Sequence, residues 1–135
     1  SFSEEYDRVY SIWEQLDLVV CGVGNPRNLV RSPYFRSEVI KDYIEEMERQ
    51  QVVGDLLTHC FGIDGRYIRC GIEDRMVNVD FEQVRRAKKK LIITFGADRI
   101  EALIGAMKAQ LIDVLVTDQS TADGILAYVS QPQQG

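Results

Sequence analysis

Residues 91–129 alternate between two hydrophobic periods, and this alternation restricts the possible folds more than any other part of the sequence. The segment 91–95, LIITF, is apolar or β-branched and is followed by Gly96, which predicts a buried strand ending in a turn. Residues at helical spacing come next: Ile100, Leu103, Ile104 and Met107. A second strand is predicted at 113–118 and a second helix at 120–128. This order predicts parallel strands joined by right-handed crossovers, and therefore an α/β fold.

The rest of the chain supplies further helices and strands. The predicted elements are a helix at 2–15, a strand at 16–24, a loop at 25–33, a helix at 37–50, a strand within 50–60 that follows a turn at Gly54, a type I′ hairpin centred on Asp64-Gly65, and a helix at 80–88. Helices on both faces of a mostly parallel sheet give a three-layer α/β/α architecture, with the hairpin as an insertion at one end.

Composition excludes several classes of protein. The chain has 135 residues and a net charge of −5, which predicts one domain that does not itself bind nucleic acid. The N-terminus does not resemble a signal peptide, and no apolar run is long enough to span a membrane. Three cysteines at unrelated spacings (Cys21, Cys60 and Cys70) favour a reducing cytoplasm over a disulfide framework. We expect no metal and no cofactor.

The ends of the chain suggest a fragment of a longer protein. Residue 1 is Ser rather than Met, and it falls within a helical pattern. Residues 131–135 are predicted to be a disordered tail.

The predicted strand ends point to a ligand site. The right-handed crossover places Gly96 and the Thr117-Asp118 pair at one edge of the sheet, where α/β proteins bind ligands. Gly96 and the first turn of the next helix could bind an anion, with Arg99 adding a cation. The alternative is a turn in which Gly96 only permits the backbone angle. Asp118 could contact a ligand, but helix capping is its expected main role.

A second glycine turn follows the first predicted strand. Gly22, Gly24 and Asn25 could bring backbone N–H groups close to a phosphate. The third glycine of a dinucleotide-binding fingerprint is replaced by Arg27, so nucleotide binding is not predicted. A plain tight turn remains the alternative.

Three further positions carry possible site chemistry. Asp55 and Arg75 could each contact a ligand, since Arg75 offers a planar fork to a phosphate or carboxylate, although a structural ion pair is the more common role. His59 lies in an apolar strand pattern and is expected to be a core histidine rather than a base. The candidate ligand-binding set is Gly22, Gly24, Asn25, Asp55, Arg75, Gly96, Arg99 and Asp118.

Several segments together resemble one family. In chain order they are LDLVVCGVG, VVGDLLTHCFGIDGRYI, EDRMVNV, LIITFGADRIEALIGAM and VLVTDQSTADGIL. They are similar, over about residues 10–129, to the effector domain of SorC-type bacterial transcriptional regulators. The resemblance implies a fold similar to ribose-5-phosphate isomerase and glucosamine-6-phosphate deaminase. It also implies a phosphorylated sugar or related effector, a homo-oligomer (dimer or tetramer), and DNA binding through a separate helix-turn-helix.

The chain departs from the family pattern in two respects. The family has Gly-Gly after this strand and then a Lys, whereas this sequence has Phe95-Gly96 and Arg99. The helix-turn-helix and an early phosphate-binding loop of the family are absent, so residues 1–130 correspond to the C-terminal part of a larger effector domain.

Three functional hypotheses follow. The first is a non-catalytic sensor domain, in which Asp55 and Asp118 accept ligand hydroxyl groups. The second is a sugar-phosphate isomerase or deaminase, for which the candidate bases are Asp55, Asp118 and His59. The third is an oligomerisation domain that associates through exposed Phe2, Tyr6 and Trp13.

Overall fold

The fold is described from a computed structural model that covers residues 2–29 and 38–132. The helices are α1 (Phe2–Trp13), α2 (Pro26–Leu29), α3 (Glu38–Arg49), α4 (Phe81–Arg86), α5 (Ile100–Lys108) and α6 (Gln119–Val129). The strands are β1 (Leu18–Cys21), β2 (Gly54–Leu56), β3 (His59–Phe61), β4 (Tyr67–Ile68), β5 (Lys89–Ile93) and β6 (Val114–Val116). Two short 3₁₀ helices cover Ile72–Arg75 and Ala97–Arg99.

The strands form two sheets. Sheet A has the order β1-β5-β6 and is parallel throughout, with Val20 paired to Leu91 and Leu91 to Val114. Sheet B has the order β2-β3-β4 and is antiparallel. The α/β class and the mostly parallel main sheet predicted from the sequence are confirmed.

One prediction inside sheet B is wrong. Gly54 is not a turn but the first residue of β2, and the strand predicted to follow it is divided, because β2 ends at Leu56 and the chain reverses through Leu57 and Thr58 into β3. Leu57 and Thr58 both have positive φ, 49° and 67°, as the two central residues of a type I′ turn require. The local sequence does not predict this turn, since neither Leu nor a β-branched Thr favours the left-handed region.

The predicted hairpin at Asp64-Gly65 exists, but its turn type is different. Gly62–Arg66 links β3 to β4, and the Gly65 N–H donates to the Gly62 carbonyl at 3.0 Å. Gly65 has a φ of 84°, whereas Asp64 is absent from the positive-φ residues of the described chain. This is a type I turn followed by a left-handed glycine, and not the type I′ turn that the Asp-Gly pair suggested.

The side chains on the two faces of sheet A differ strongly in burial. Val19 and Ile92 on one face are buried in the main core with residues of α4, α5 and α6. On the opposite face Leu18, Val20, Ile93 and Val116 are 48–54% exposed. Parallel sheets usually carry cover on both faces, so this open face is an apolar surface in the described structure.

The central strand begins two residues earlier than predicted. β5 covers Lys89–Ile93 instead of 91–95, and it includes a buried lysine, Lys90. The Lys90 ammonium donates to the carbonyls of Arg85 (2.9 Å) and Ala87 (3.4 Å) at the end of α4, and it lies 3.2 Å from the Asp113 carboxylate. These partners allow a charged side chain to occupy a core position that a hydrophobicity pattern excludes.

Some predictions fall partly outside the described residues. The predicted loop 25–33 contains the short helix α2, and its residues 30–33 lie outside the described part, as do the predicted helix start at Ser37 and tail residues 133–135. Trp13 packs against the main core and Tyr6 is 36% exposed, while the side chain of Phe2 is outside the description. None of the helices in the described residues is long and apolar enough to cross a bilayer.

Candidate functional site

The glycine turn after β1 is joined directly to sheet B. The Gly24 N–H donates to the Asp55 carbonyl at 2.7 Å, and the Asp55 N–H donates to the Gly24 carbonyl at 3.2 Å. A side chain at position 24 would overlap the Asp55 carboxylate, because an added Cβ would lie 3.0 Å from Cγ of Asp55. The bridge therefore brings Asp55, predicted as a ligand contact, to the edge where the strands of sheet A end.

Two threonine hydroxyls hold the loops at this edge. The Thr94 hydroxyl accepts from the Val23 N–H at 2.8 Å, and the Thr121 hydroxyl accepts from the Gly96 N–H at 2.8 Å. Both threonines are buried. Neither threonine was among the predicted site residues, although a polar Thr at the end of an apolar strand and a Thr three residues after a helix cap are signals in the sequence.

Asp98 connects the glycine turn to the 3₁₀ helix that precedes α5. Its carbonyl accepts from the Asn25 side chain at 2.8 Å, and its carboxylate accepts from the Asn28 side chain at 3.1 Å. The same carboxylate lies 3.3 Å from the Arg99 guanidinium. Asn25 is thus tied to the turn after β5, as the predicted common site requires, but through Asp98, which sequence reasoning missed.

Asp55 and Arg99 form the electrostatic centre of this edge. Burial raises the pKa of Asp55, while the Thr58 N–H and the positive charge of Arg99 act in the opposite direction. The Arg99 side chain is 25% exposed and so remains accessible. A carboxylate and a guanidinium placed together can bind the hydroxyl groups and the anionic groups of a small polar ligand.

Asp118 caps α6. Its carboxylate accepts from the Thr121 N–H at 2.9 Å and from the Ser120 hydroxyl at 3.3 Å. The Thr121 side chain and backbone lower the pKa of Asp118 by hydrogen bonding to its charged form. The predicted capping role is confirmed, and the side chain is exposed at the same edge as Gly96.

The structure does not bring Arg75 into this arrangement. Arg75 ends the 3₁₀ helix Ile72–Arg75 after sheet B, and no hydrogen bond or ion pair of the described residues links it to Asp55 or Gly96. Its neighbour Asp74 forms an ion pair with Arg69 instead. Ligand contact by Arg75 therefore remains a prediction without support from this geometry.

His59 is a core residue, as expected. Its Nε2–H donates to the Val79 carbonyl at 2.5 Å, and its ring packs edge-on against Tyr67 and Phe81. Nδ1 has no hydrogen-bond partner within the described chain. His59 is buried and is thereby separated from solvent.

An open cleft lies beside the edge. It has a volume of about 1180 Å³ and is lined by residues of the glycine turn, α2, α3 and the start of α5. Asn25 and Asp98 belong to its wall, so the cleft adjoins the Asp55–Arg99 pair through the Asp98 connection. A cleft of this size can hold a small molecule.

The overall sequence match identifies the family. A model of a sugar-binding domain matches residues 3–127. The chain belongs to this sugar-binding domain family. The SorC resemblance noted from the sequence is confirmed by this match and by the relatives below.

Two related proteins are named as regulators. The sorbitol operon regulator of Klebsiella pneumoniae is 21% identical over 124 residues, a match that covers 92% of this chain and 39% of the relative. The deoxyribonucleoside regulator of Bacillus subtilis is 24% identical over 123 residues, a match that covers 89% of this chain and 38% of the relative. The chain thus spans about two fifths of the length of these relatives.

Solved structures show the same fold. The full-length sorbitol operon regulator SorC from Klebsiella pneumoniae aligns with a TM-score of 0.82 at 21% identity, covering 93% of this chain and 40% of that one. A transcriptional regulator from Streptococcus pneumoniae aligns with a TM-score of 0.83 at 19% identity, covering 96% of this chain and 49% of that one. At these identities the likeness establishes the fold only.

Proposed function

We propose that this sugar-binding domain is the effector sensor of a bacterial transcriptional regulator and that it binds a phosphorylated sugar or a related small carbohydrate. The observation that carries the proposal is the bridge between Gly24 and Asp55, which fixes a partly buried carboxylate at the sheet edge beside Arg99. Carboxylates at such edges accept hydrogen bonds from ligand hydroxyl groups.

Each candidate residue has a distinct role in this proposal. Asp55 accepts hydroxyl hydrogen bonds, Arg99 supplies a cation, and Asn25 holds the glycine turn in position through the Asp98 carbonyl. Gly22 and Gly24 allow the close approach of the two loops. Asp118 contributes mainly by fixing the start of α6.

The ligand would bind one assembly state of the regulator more tightly than another. Ligand binding would thereby shift the population of these states and regulate DNA binding. DNA contact belongs to a separate helix-turn-helix outside this chain, and the regulator acts in the cytoplasm. The names of the two relatives support this part of the proposal, since both are regulators. The same names give no support to the isomerase or deaminase alternative.

The proposal includes self-association, supported by the open face of sheet A. Leu18, Val20 and Ile93 present a flat aliphatic surface that a second copy could cover. Light scattering after size exclusion should show an oligomer for the chain and a monomer for Val20→Lys. The exposed Val77→Lys, outside this face, is the matched control, and an unchanged oligomer in both variants would exclude this face as the contact.

Ligand binding is tested by isothermal titration and thermal shift. The panel contains sorbitol and 2-deoxyribose, each with its phosphate monoester, because the relatives' names refer to sorbitol and to deoxyribonucleosides. A ligand present at one hundred times its Kd should stabilise the fold by roughly 2.7 kcal/mol. Asp55→Ala and Arg99→Ala should abolish that stabilisation, whereas Arg75→Ala should not. Loss of binding in Arg75→Ala alone would place the site elsewhere.

A further inference from the structure

The two-residue turn between β2 and β3 is held in a conformation that its own sequence disfavours. Leu57 and Thr58 have φ angles of 49° and 67°, in the left-handed region that a type I′ turn requires at both central positions. In this region Cβ lies close to the following carbonyl oxygen, so each residue other than glycine costs free energy there. Keeping the turn closed therefore requires an interaction from outside it.

Asn78 supplies that interaction from another segment of the chain. Its side-chain amide donates to the Leu57 carbonyl at 2.5 Å and to the Thr58 hydroxyl at 3.2 Å. The Asn78 side-chain oxygen accepts from the Val79 N–H at 2.9 Å, which orients the amide with its NH₂ group toward the turn. The Val79 carbonyl in turn accepts from the His59 ring at 2.5 Å. The segment that carries Asn78 is thus fastened to β3, and the turn is fastened to Asn78.

The turn determines where the Asp55 side chain lies. A two-residue turn fixes the register in which Leu56 is paired with His59 and Asp55 with Cys60. In this register Asp55 also forms its backbone bridge to Gly24. Because side chains alternate between the two faces of a strand, a slip of one residue would turn the Asp55 carboxylate to the opposite face of sheet B. The position of this carboxylate therefore depends on the turn.

The surroundings of the Asp55 carboxylate agree with this dependence. Burial raises the pKa of Asp55, and a hydrogen bond from the Thr58 N–H, together with the nearby Arg99 and His59, opposes that rise. The backbone donor to the carboxylate thus belongs to the turn that Asn78 holds closed.

We propose that Asn78 is a positioning residue of the ligand site, because it holds the Leu57–Thr58 turn closed and thereby keeps the Asp55 carboxylate beside Gly24. The inference rests on the proposed carbohydrate-sensing function, in which Asp55 accepts hydrogen bonds from ligand hydroxyl groups. Asn78 acts through Asp55 and not by touching the ligand.

The first test follows the ionisation of Asp55 in the ligand-free chain. ¹³C NMR of the side-chain carboxyl group, titrated with pH, gives the pKa of Asp55 in the original chain and in Asn78→Ala. Burial is the largest influence on this carboxyl group, so release of the turn should lower its pKa toward the ordinary value. Asn78→Ser, which keeps a shorter donor, should cause a smaller fall. An unchanged pKa in both variants overturns the inference.

The control for this test is an uncharged substitution elsewhere in the core. Leu111 is fully buried between α5 and β6, at the end of sheet A where the strands begin. Leu111→Val should destabilise the fold without changing the pKa of Asp55. An equal change of this pKa in Leu111→Val and Asn78→Ala would show a general effect of lost stability and overturn the inference.

The second test measures affinity by calorimetry. Sorbitol, 2-deoxyribose and their phosphate monoesters are titrated into the original chain and into Asn78→Ala. Each compound that binds should bind Asn78→Ala about tenfold more weakly, the effect of one misplaced hydrogen-bond acceptor. Equal affinities overturn the inference and leave the proposed function intact. Failure of every compound to bind the original chain overturns the proposed function, and the NMR titration still decides whether Asn78 positions Asp55.

A rescue separates positioning from a general structural role. Leu57→Asn combined with Thr58→Gly gives the turn an Asn-Gly sequence, which favours type I′ geometry without help from Asn78. Both substitutions keep the backbone N–H groups of the turn. Added to Asn78→Ala, they should restore the pKa of Asp55 and the affinity. Thermal unfolding checks that each variant is folded, and a folded triple variant in which neither property returns overturns the inference.

Discussion

Gly24 and Asp55 form a reciprocal pair of backbone hydrogen bonds, at 2.7 and 3.2 Å, across the gap between the parallel and the antiparallel sheet. The Asp55 side chain covers the space where a Cβ of residue 24 would be. Position 24 thus requires glycine for a steric reason, in addition to any effect on backbone angles. The same contact holds the carboxylate proposed to bind the ligand.

Gly24→Ala should destabilise the fold by about 1–3 kcal/mol, because the added methyl group displaces Asp55 or breaks the bridge. Chemical denaturation measures the loss directly. Gly22→Ala is the control: its Cβ would lie 3.3 Å from the Thr94 hydroxyl, a much milder contact. Equal costs for the two substitutions would show that the Asp55 contact is unimportant.

Stability should depend on the charge of Asp55. Burial raises the folded-state pKa of Asp55, so the unfolded chain loses this proton at lower pH than the folded one. Ionised Asp55 therefore opposes folding, and this effect grows as pH rises from the unfolded value, about 3.9, through the folded pKa. Asp55→Asn should be more stable than the original chain at neutral pH, and this advantage should shrink on acidification. Denaturant titrations from pH 3 to pH 7 test this, and a difference independent of pH would contradict it.

A substitution in the turn at Leu57 and Thr58 should increase the stability of the fold. A non-glycine residue in the left-handed region costs roughly 1–2 kcal/mol, and Asn tolerates that region better than Leu. Leu57→Asn should accordingly stabilise the fold by several tenths of a kcal/mol to about 1 kcal/mol. Leu57 is 37% exposed, so little core packing is lost. A fall in the melting temperature of Leu57→Asn would show that packing of the Leu57 side chain outweighs the strain.

Asn78 provides the matched test of the same turn. Its side-chain amide donates to the Leu57 carbonyl at 2.5 Å and to the Thr58 hydroxyl at 3.2 Å. Asn78→Ala should lower the free energy of unfolding by about 1 kcal/mol, as expected for the loss of such hydrogen bonds.

Among the lysines of the β5 region, replacement of Lys90 should lower the free energy of unfolding most. Lys90→Ala leaves two carbonyls at the end of α4 and the Asp113 carboxylate without their shared donor. We expect a loss of about 2–3 kcal/mol in the free energy of unfolding. Lys89→Ala, at the neighbouring exposed position of β5, should change stability by less than about 0.5 kcal/mol. Similar losses for both lysines would contradict the buried-partner explanation.

The sequence predicted sheet A well because its strands and helices carry strong periodic patterns. LIITF and the helical stripe that follows it identify β5 and α5 without ambiguity in type, although both ends of β5 lie two residues earlier than predicted. That displacement came from Lys90, whose burial depends on carbonyl and carboxylate partners that no local pattern reveals. Sheet B was misassigned for a related reason, since the Leu57-Thr58 turn is stabilised by a residue about twenty positions away, Asn78.

In the candidate site, too, some residues were predicted from the sequence and others were not. The ends of parallel strands located Gly24, Asn25 and Gly96 at one edge, whereas Asp55, which was named as a separate candidate, reaches this edge through its bridge to Gly24. Thr94, Thr121 and Asp98 were missed as site residues, since each acts through a contact with a segment distant in the chain. Those contacts changed the expected role of the glycine N–H groups from ligand donors to structural donors.

The two sheets also differ in how far apart their strands lie along the chain, and this fixes an order of assembly. Sheet B joins neighbouring segments through short turns, whereas sheet A must bring β1 to β5, a distance illustrated by the Val23–Thr94 contact between residues 71 positions apart. Local pairings close with little loss of chain entropy, and distant parallel pairings close late. Sheet B should therefore be in place before sheet A, so that the Gly24–Asp55 bridge forms by docking a late-folding strand end onto an early-folding hairpin.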